Sequence, residues 1–542
     1  MQPTADDLMR PHRPPSVPLQ SLVHTVPVQV HAMADAQVSG LAIQTARVRP
    51  GDLFVAVAGQ RSHGAQYIEQ AIHAGARGVL TDEAGYRIAR ELDASVGHEL
   101  PVLVVDDGHD VREIAGQVAA TIYGQPAARL TTAGITGTNG KTTTTFFLDA
   151  ILRTAGHHTG LMGTVETRLG DHTVSSTRTT VEAPELQGFL ARCLEEEVTA
   201  VSMEVSSHAL ALHRITGTQF DVVGFTNLQR DHLDFHGSMA EYFAAKAQLF
   251  HSDYARAGVI NVDDDWGVQL HRQATIDTWS VATTPERAAH VHADWTVVEV
   301  GDYQPNDGTQ FVLQGPHGQR LRCHSALPGT VNVANAALAA LMARLAGVSD
   351  NNITEGLRSL HSIPGRMEVV SKPAQPLTIV DYAHTAEALD FALSSLRQDL
   401  AARAHESGTH GVLRVVCGAA GDRDPSKRPE MGAVAARLAD VVYIADDDPH
   451  GEDRATIRQD LLKGAQSEAQ RQAAHGRIID VKEYDQRESA IDDVITAASD
   501  GDIILIAGRG HETVQDMAGV PHELDDRRHA RRALTRWSNQ HH

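Results

Sequence analysis

Short runs of β-branched and aliphatic residues recur along the chain, separated by stretches whose apolar positions fall three and four residues apart. That alternation predicts buried, mostly parallel strands joined by helices, an α/β chain. In the first third, Leu53-Phe54-Val55-Ala56-Val57 reads as a buried strand and Tyr67 to Ala76 as a helix. Gly78-Val79-Leu80 and Pro101 to Val105 read as two more strands, and Tyr123 to Pro126 as a linker. A second series opens with a strand at Leu130 to Thr136 and continues through Ala200 to Val205 and Asp221 to Thr226. The more alternating stretch Trp295 to Cys323 predicts an antiparallel insertion. A third series, at Leu377 to Val380, Val412 to Cys417, Val441 to Ala445 and Ile503 to Ala507, predicts a second doubly wound sheet. Residues 1–20 carry five prolines and several charges and predict a disordered tail. The expected domains are therefore 21–128, 129–364 and 365–542.

Composition narrows the function. A chain of 542 residues, 42% hydrophobic and 21% charged, is ordinary globular material with room for several cores. A formal charge of −22 argues against nucleic-acid and polybasic membrane roles. Cys193, Cys323 and Cys417 lie far apart with no CxxC pair, which disfavours a disulfide framework and a cysteine zinc site and fits a reducing cytoplasm. No apolar run reaches 18 residues, so no membrane insertion is expected. A monomer is expected.

The sharpest local signal is Gly137-Thr138-Asn139-Gly140-Lys141-Thr142-Thr143, between a strand and a helix. In that setting backbone N–H groups and a helix N-terminus cradle phosphates, Lys141 reaches the β/γ oxygens, and Thr142 offers a hydroxyl to Mg²⁺. Ile135 stands where the full phosphate-loop pattern has its first glycine. The next two strands end in Glu204-Val205-Ser206-Ser207-His208 and in Asn227 to Asp234. Ligands bind beyond the carboxyl ends of strands in open α/β sheets, so Glu204 is a candidate Mg²⁺ ligand rather than a strand-end salt bridge. His232 alone reads more readily as a structural histidine, and Lys246 alone as a solvated helix lysine, since nothing in its spacing marks it out. In the third series four polar segments follow strands: Asp381 to His384, Gly418 to Asp424, Asp446 to His450 and Gly508 to Glu512. Together they mark a pocket for a polar substrate. An ATP-using enzyme with a second polar site is the reading from the residues themselves.

These segments, with Gly51 to Ala56, Tyr242 to Lys246, Asn332-Val333-Ala334-Asn335 and Pro364 to Met367, resemble the Mur ligase family, in its tripeptide-synthetase (MurE-type) branch. The resemblance runs from about Val38 onward. It implies three domains, a central phosphate-loop ATPase and a C-terminal Rossmann-like domain. It also implies ATP-driven amide formation between the D-Glu of UDP-MurNAc-L-Ala-D-Glu and a diamino acid through an acyl phosphate, in peptidoglycan synthesis. Lys141 would contact the transferred phosphoryl group. Thr142 and Glu204 would hold one Mg²⁺, with His232 and Lys246, as a carbamate, holding a second. Asn332, Asn335, Arg366 and Asp381 would contact ATP, and Thr45, Thr179, Thr180, Ser206 and Arg214 the UDP-dipeptide. Arg428, Asp447, Asp448, His450, Gly508 and Glu512 would receive the amino acid.

Some positions depart from the family pattern. Thr45 replaces a usual Ser, Arg178 a usual Asn, Leu212 a usual Gln and Ala386 a usual Pro. Asp447-Asp448-Pro449-His450 stands where enzymes adding meso-diaminopimelate read Asp-Asn-Pro-Arg, and Glu452 and Asp453 add negative charge. An acidic pocket end suits an ammonium, so L-lysine or L-ornithine is expected, with meso-diaminopimelate as the alternative if His450 is protonated or Arg454 takes over the carboxylate. A phosphate-loop ATPase or phosphotransferase of another class is the remote alternative; it leaves the third series unexplained.

Overall fold

The buried runs become strands because both their faces are covered: all five residues of Asp52–Ala56 are buried, as are those of Ala200–Glu204 and Ile503–Ala507. The computed structural model describes residues 4–31, 36–59, 62–96, 101–176, 178–304, 307–407 and 410–541. Three main sheets carry the chain.

The first has five strands in the order Val28–His31, Val102–Val105, Gly78–Thr81, Asp52–Ala56, Gly40–Ala42, parallel except for the Val28–His31 edge. The central sheet has eleven strands. In its parallel part Thr131–Thr136 lies between Ala200–Glu204 and Phe220–Phe225. Trp295–Val298, Thr309–Gln314 and Arg320–Ser325 pair antiparallel with one another. They are not a separate insertion: Trp295–Val298 continues the same sheet in parallel beside Asp277–Ala282. The third sheet orders Glu368–Val369, Leu377–Asp381, Ile503–Ala507, Leu413–Cys417, Val441–Ala445 and Asp480–Tyr484, with only the first strand antiparallel.

The helix Lys141–Thr154 buries Thr142 through Leu152 and packs against Thr330–Leu345 and Asp350–Ser359. A core side chain such as Phe147 or Leu148 contributes roughly 1.5–3 kcal/mol by that burial.

From Thr4 on, the start of the chain is not a disordered tail. Ala5–Leu8 is helical, and Leu8 and Met9 are buried in the central core with Leu186 and Phe189. Arg10 donates to Asp52 Oδ1 at 2.6 Å and to the Leu41 carbonyl at 2.6 Å in the first sheet. The His12 and Arg13 amides donate to Glu195 at 2.7 and 2.9 Å on the central side. The prolines that signalled disorder also restrict the unfolded chain, which lowers the cost of holding an extended strap. Tyr123, read as part of a linker, caps the helix Val111–Ile122 and is buried. Among the described residues no helix is long and apolar enough to cross a membrane.

Candidate active site

Three neighbouring strand ends build the phosphate end. The loop after Thr131–Thr136 turns into the helix Lys141–Thr154 through Gly140, at φ +89°, where a Cβ would collide with the Asn335 side chain. Only glycine suits both demands. The loop is braced from the next strand: Asn139 N–H donates to Asn227 Oδ1 at 3.0 Å, and Gln229 N–H to Thr138 Oγ1 at 2.9 Å. The Thr138 hydroxyl also lies 3.1 Å from that of Tyr242.

Both candidate lysines converge on the Gly137 carbonyl, Lys141 Nζ at 3.0 Å and Lys246 Nζ at 2.7 Å. Lys141 also donates to the Thr138 carbonyl at 2.9 Å. Burial lowers the Lys141 pKa, opposed by Glu204 and Asp231. Lys246 is 1% exposed, not a solvated helix lysine. Burial and then the charge of Lys141 push its pKa well down. It sits 4.7 Å from the Tyr242 ring centre.

Glu204, 1% exposed, receives three donors: Thr142 Oγ1 at 2.9 Å, the Thr164 amide at 2.7 Å and Thr164 Oγ1 at 3.0 Å. Among the described residues no lysine or arginine forms an ion pair with it. A buried carboxylate beside a threonine hydroxyl at the phosphate loop is a hard oxygen donor set, which fits Mg²⁺. His232 lies at the same mouth, half exposed, with Nε2 3.3 Å from Asp231 Oδ2 and its ring edge-on to His208 at 4.8 Å. Burial lowers its pKa to about 4, against the pull of Asp231.

A cleft of about 520 Å³ joins this end to the third sheet. Thr138 to Thr143, Glu204 and His232 line it from the central domain, with Asn332 and Asn335 beside them. Arg366, Asp381 and Tyr382 line it from the other side. Asn332 donates to the Pro328 carbonyl at 2.7 Å, and Asn335 to Asn332 Oδ1 at 3.3 Å. Arg366 donates to Thr142 Oγ1 at 3.3 Å and lies 4.4 Å from the Tyr382 ring centre. Asp381 accepts from the Met367 and Ala383 amides at 2.7 and 2.9 Å; burial raises its pKa, and Arg366 opposes the rise.

Four of the five acceptor candidates gather nearby. Thr179 and Ser206 line the cleft. Thr180 Oγ1 donates to the Glu204 carbonyl at 2.9 Å, and Arg214 donates to the Thr180 carbonyl at 3.4 Å. Thr45 stands apart, in the turn Thr45–Arg47 beyond the first sheet's edge strand, and does not line the cleft.

The amino-acid end differs from its reading in sequence. Asp448 is held by Arg509 Nη1 at 2.7 Å and the Asp516 amide at 2.8 Å. Glu452 takes Arg428 through both oxygens, at 2.7 and 2.6 Å, and Arg428 is 1% exposed. Asp453 caps the helix Arg454–Ala473. Arg454 pairs with Asp446, so it does not take over from His450. His450 Nδ1 lies 2.9 Å from Asp516 Oδ2. Of the negative charge counted along the sequence, Asp448 and Glu452 are thus already paired with arginines. Asp447, Asp448 and Glu512 still bring carboxylate oxygens within 4.8 Å of one another. Burial, with Asp447 adding, pushes Glu512 up to about 7. Gly508, at φ +118°, lets its backbone pass against Asp447, where a Cβ would clash.

Thr164, Arg509 and Asp516 were missed in the sequence. Thr164 is a turn threonine with no motif around it. The other two sit in or next to a recognised segment, but their partners lie more than sixty positions away.

Three family models match: the Mur ligase family catalytic domain over residues 37–123, the Mur ligase middle domain over 135–343, and the Mur ligase glutamate ligase domain over 365–510. A Streptomyces coelicolor protein named UDP-N-acetylmuramoyl-L-alanyl-D-glutamate–2,6-diaminopimelate ligase is 42% identical over 97% of this chain and 98% of its own. A Leifsonia xyli protein named UDP-N-acetylmuramyl-tripeptide synthetase is 41% identical, over 96% and 97%. A solved structure of a UDP-N-acetylmuramoyl-L-alanyl-D-glutamate–2,6-diaminopimelate ligase superposes with a TM-score of 0.65 at 28% identity, covering 97% of this chain and all of the other.

Proposed function

The chain belongs to the Mur ligase family and is an ATP-dependent ligase, and on that premise we propose that it joins a diamino acid to the D-glutamate of UDP-MurNAc-L-Ala-D-Glu. The observation that carries this is the single cleft in which Lys141, Thr142 and Glu204 face Asn332, Arg366 and Asp381, with Thr179 and Ser206 at its edge. One cavity thus offers a phosphate cradle, a nucleotide wall and an acceptor site.

The γ-carboxylate of D-glutamate attacks the γ-phosphorus of ATP, and ADP leaves. The α-amine of the diamino acid then attacks the acyl carbon; the amide forms, inorganic phosphate departs and the amine loses its proton. Phosphorylation turns a poor electrophile into one with a good leaving group. Lys141 holds the transferred phosphoryl oxygens, and the loop amides orient them. Thr142 and Glu204 would hold one Mg²⁺, and His232 with Lys246 a second; the ions supply charge neutralisation where phosphates and a carboxylate meet. Lys246 suits carbamylation because burial pushes its pKa well down and so favours the neutral amine, the form that adds CO₂ and, on losing a proton, becomes an anionic oxygen donor.

Meso-diaminopimelate is the diamino acid we assign, in place of the lysine or ornithine expected from the sequence. The relative from Streptomyces coelicolor carries that activity in its name. Two of the acidic groups that favoured an ammonium, Asp448 and Glu452, are taken by Arg509 and Arg428. Work in the cytoplasm, as a monomer, for peptidoglycan synthesis completes the proposal. ADP release measured with the UDP-dipeptide and each of meso-diaminopimelate, L-lysine and L-ornithine tests it. Turnover with diaminopimelate is expected. Preference for lysine or ornithine would restore the acidic-pocket reading, and ADP release independent of any amino acid would sink the ligase itself.

A further inference from the structure

At the seam between the first and central domains, three arginines share one glutamate. Glu182 accepts from Arg112 Nη1 at 2.7 Å and from Arg178 Nη1 at 2.8 Å, and lies 3.0 Å from Arg214 Nη2. Arg112 comes from the helix Val111–Ile122 of the first domain; the other three come from the central domain. The neighbouring Glu185 is taken by Arg47, which also reaches Asp6. Three arginines against Glu182 leave two positive charges, and the excess carboxylate of the Arg47 set offsets one of them from beside the group.

One donor of the group is unsatisfied: among the described residues Arg214 Nε is buried with no hydrogen-bond partner. Burial lowers the Arg214 pKa, and the charges of Arg178 and Arg112 lower it further, against Glu182. Like charges crowded in a partly buried site favour the arrival of an anion. Arg178 is 44% exposed and Arg112 25%, so one side of the group faces solvent. The other side touches the acceptor residues: Arg214 donates to the Thr180 carbonyl, and Arg178 directly precedes Thr179.

We propose that Arg112 and Arg178, with Arg214, form a receptor for an anionic group of the acceptor, and that Glu182 holds the three guanidinium groups together until that group binds. The inference rests on the acceptor proposed above, which carries a diphosphate and peptide carboxylates. Guanidinium forks match either group. Because Arg112 belongs to the first domain, acceptor binding would tie the two domains across the seam. Arg112 and Arg178 are positioning residues, remote from the transferred phosphoryl group.

Steady-state kinetics on the full chain test this. Arg112→Gln and Arg178→Gln are each expected to raise the KM for UDP-MurNAc-L-Ala-D-Glu about tenfold, the scale of a charged hydrogen bond, with the KM for ATP nearly unchanged. Glu182→Gln is expected to act in the opposite direction and lower the acceptor KM, since it removes a competing anion. A purely structural cluster would give acceptor KM changes of one sign in all three variants, or none, and that result overturns the inference. Melting curves identify any variant that fails to fold, and the remaining two still decide. Inhibition by UDP alone separates the sources. Weaker UDP inhibition in the arginine variants assigns the diphosphate; unchanged inhibition with a raised acceptor KM assigns a peptide carboxylate. If the wild-type chain releases ADP without needing the UDP-dipeptide, the acceptor reading fails first. If it ligates while the arginine variants match it, only the receptor fails.

Discussion

The phosphate end and the amino-acid end of this molecule are both built from loops at strand ends, yet they treat charge in opposite ways. At the phosphate end, Lys141 and Lys246 rest on backbone carbonyls, and Glu204 on hydroxyls and an amide. Among the described residues no ion pair commits Lys141, Lys246 or Glu204, so these groups remain available to incoming anions and cations. At the amino-acid end, Arg428 is forked onto Glu452, Arg509 donates through Nη1 to Asp448, and His450 lies against Asp516. The first region is a site waiting for charge; the second is a framework that has already spent most of its own.

The largest effect should come from breaking that framework. Arg509 is fully buried, and Arg509→Met leaves Asp448 without its cation; a loss of roughly 3–5 kcal/mol of stability is expected, read from denaturant unfolding. At the phosphate end the cost should fall on rate. Lys141→Met or Glu204→Gln should lower kcat by about a hundredfold or more while melting changes little. A large melting shift with retained turnover would erase the contrast between the two ends. Lys246→Gln should show the same loss, together with loss of any carbamate carbon signal after ¹³C-bicarbonate labelling of the wild-type chain.

Smaller effects sharpen the picture. Glu452→Gln should free Arg428 for the carboxylate of the amino acid and lower its KM by about tenfold. A raised KM would mean that the pair only braces the loop. Smallest is a pH effect. Glu512 is pushed up to about 7 by burial. Its charged form, which attracts the substrate ammonium, grows as pH rises through that value. The KM for the amino acid should therefore fall by a few-fold between about pH 6 and 8, and Glu512→Gln should flatten the profile.

The same contrast explains what could be read in the sequence. Buried strands announce themselves as continuous apolar runs, so Asp52–Ala56, Thr131–Thr136, Ala200–Glu204 and Ile503–Ala507 were legible. Thr159–Met162, Ala255–Asn261, Asp277–Ala282 and Asp480–Tyr484 were not, because polar residues or glycine interrupt their apolar runs. The phosphate loop was legible because its chemistry lies within seven consecutive residues. The Lys246 site was not, since its burial depends on the Gly137 loop 109 positions away. At the amino-acid end, counting charge along Asp447 to Asp453 misled, because Arg428, at the start of a helix, and Arg509, in the loop after Ile503–Ala507, enter from distant parts of the chain. Local composition also misled at the start of the chain, where Leu8 and Met9 outweigh the prolines.

That opening segment has a mechanical consequence. The first domain is joined to the central one by the chain at Tyr123 to Leu130, and again by the strap from Leu8 to Arg13, which grips Asp52 on one side and Glu195 on the other. A body attached at one point can swing; a second attachment removes the axis. Any opening stroke during turnover is thereby directed to the other seam, where the third sheet hangs from the chain between Leu360 and Arg366. Fluorophore pairs across the two seams should show one distance that holds and one that changes as nucleotide and acceptor bind.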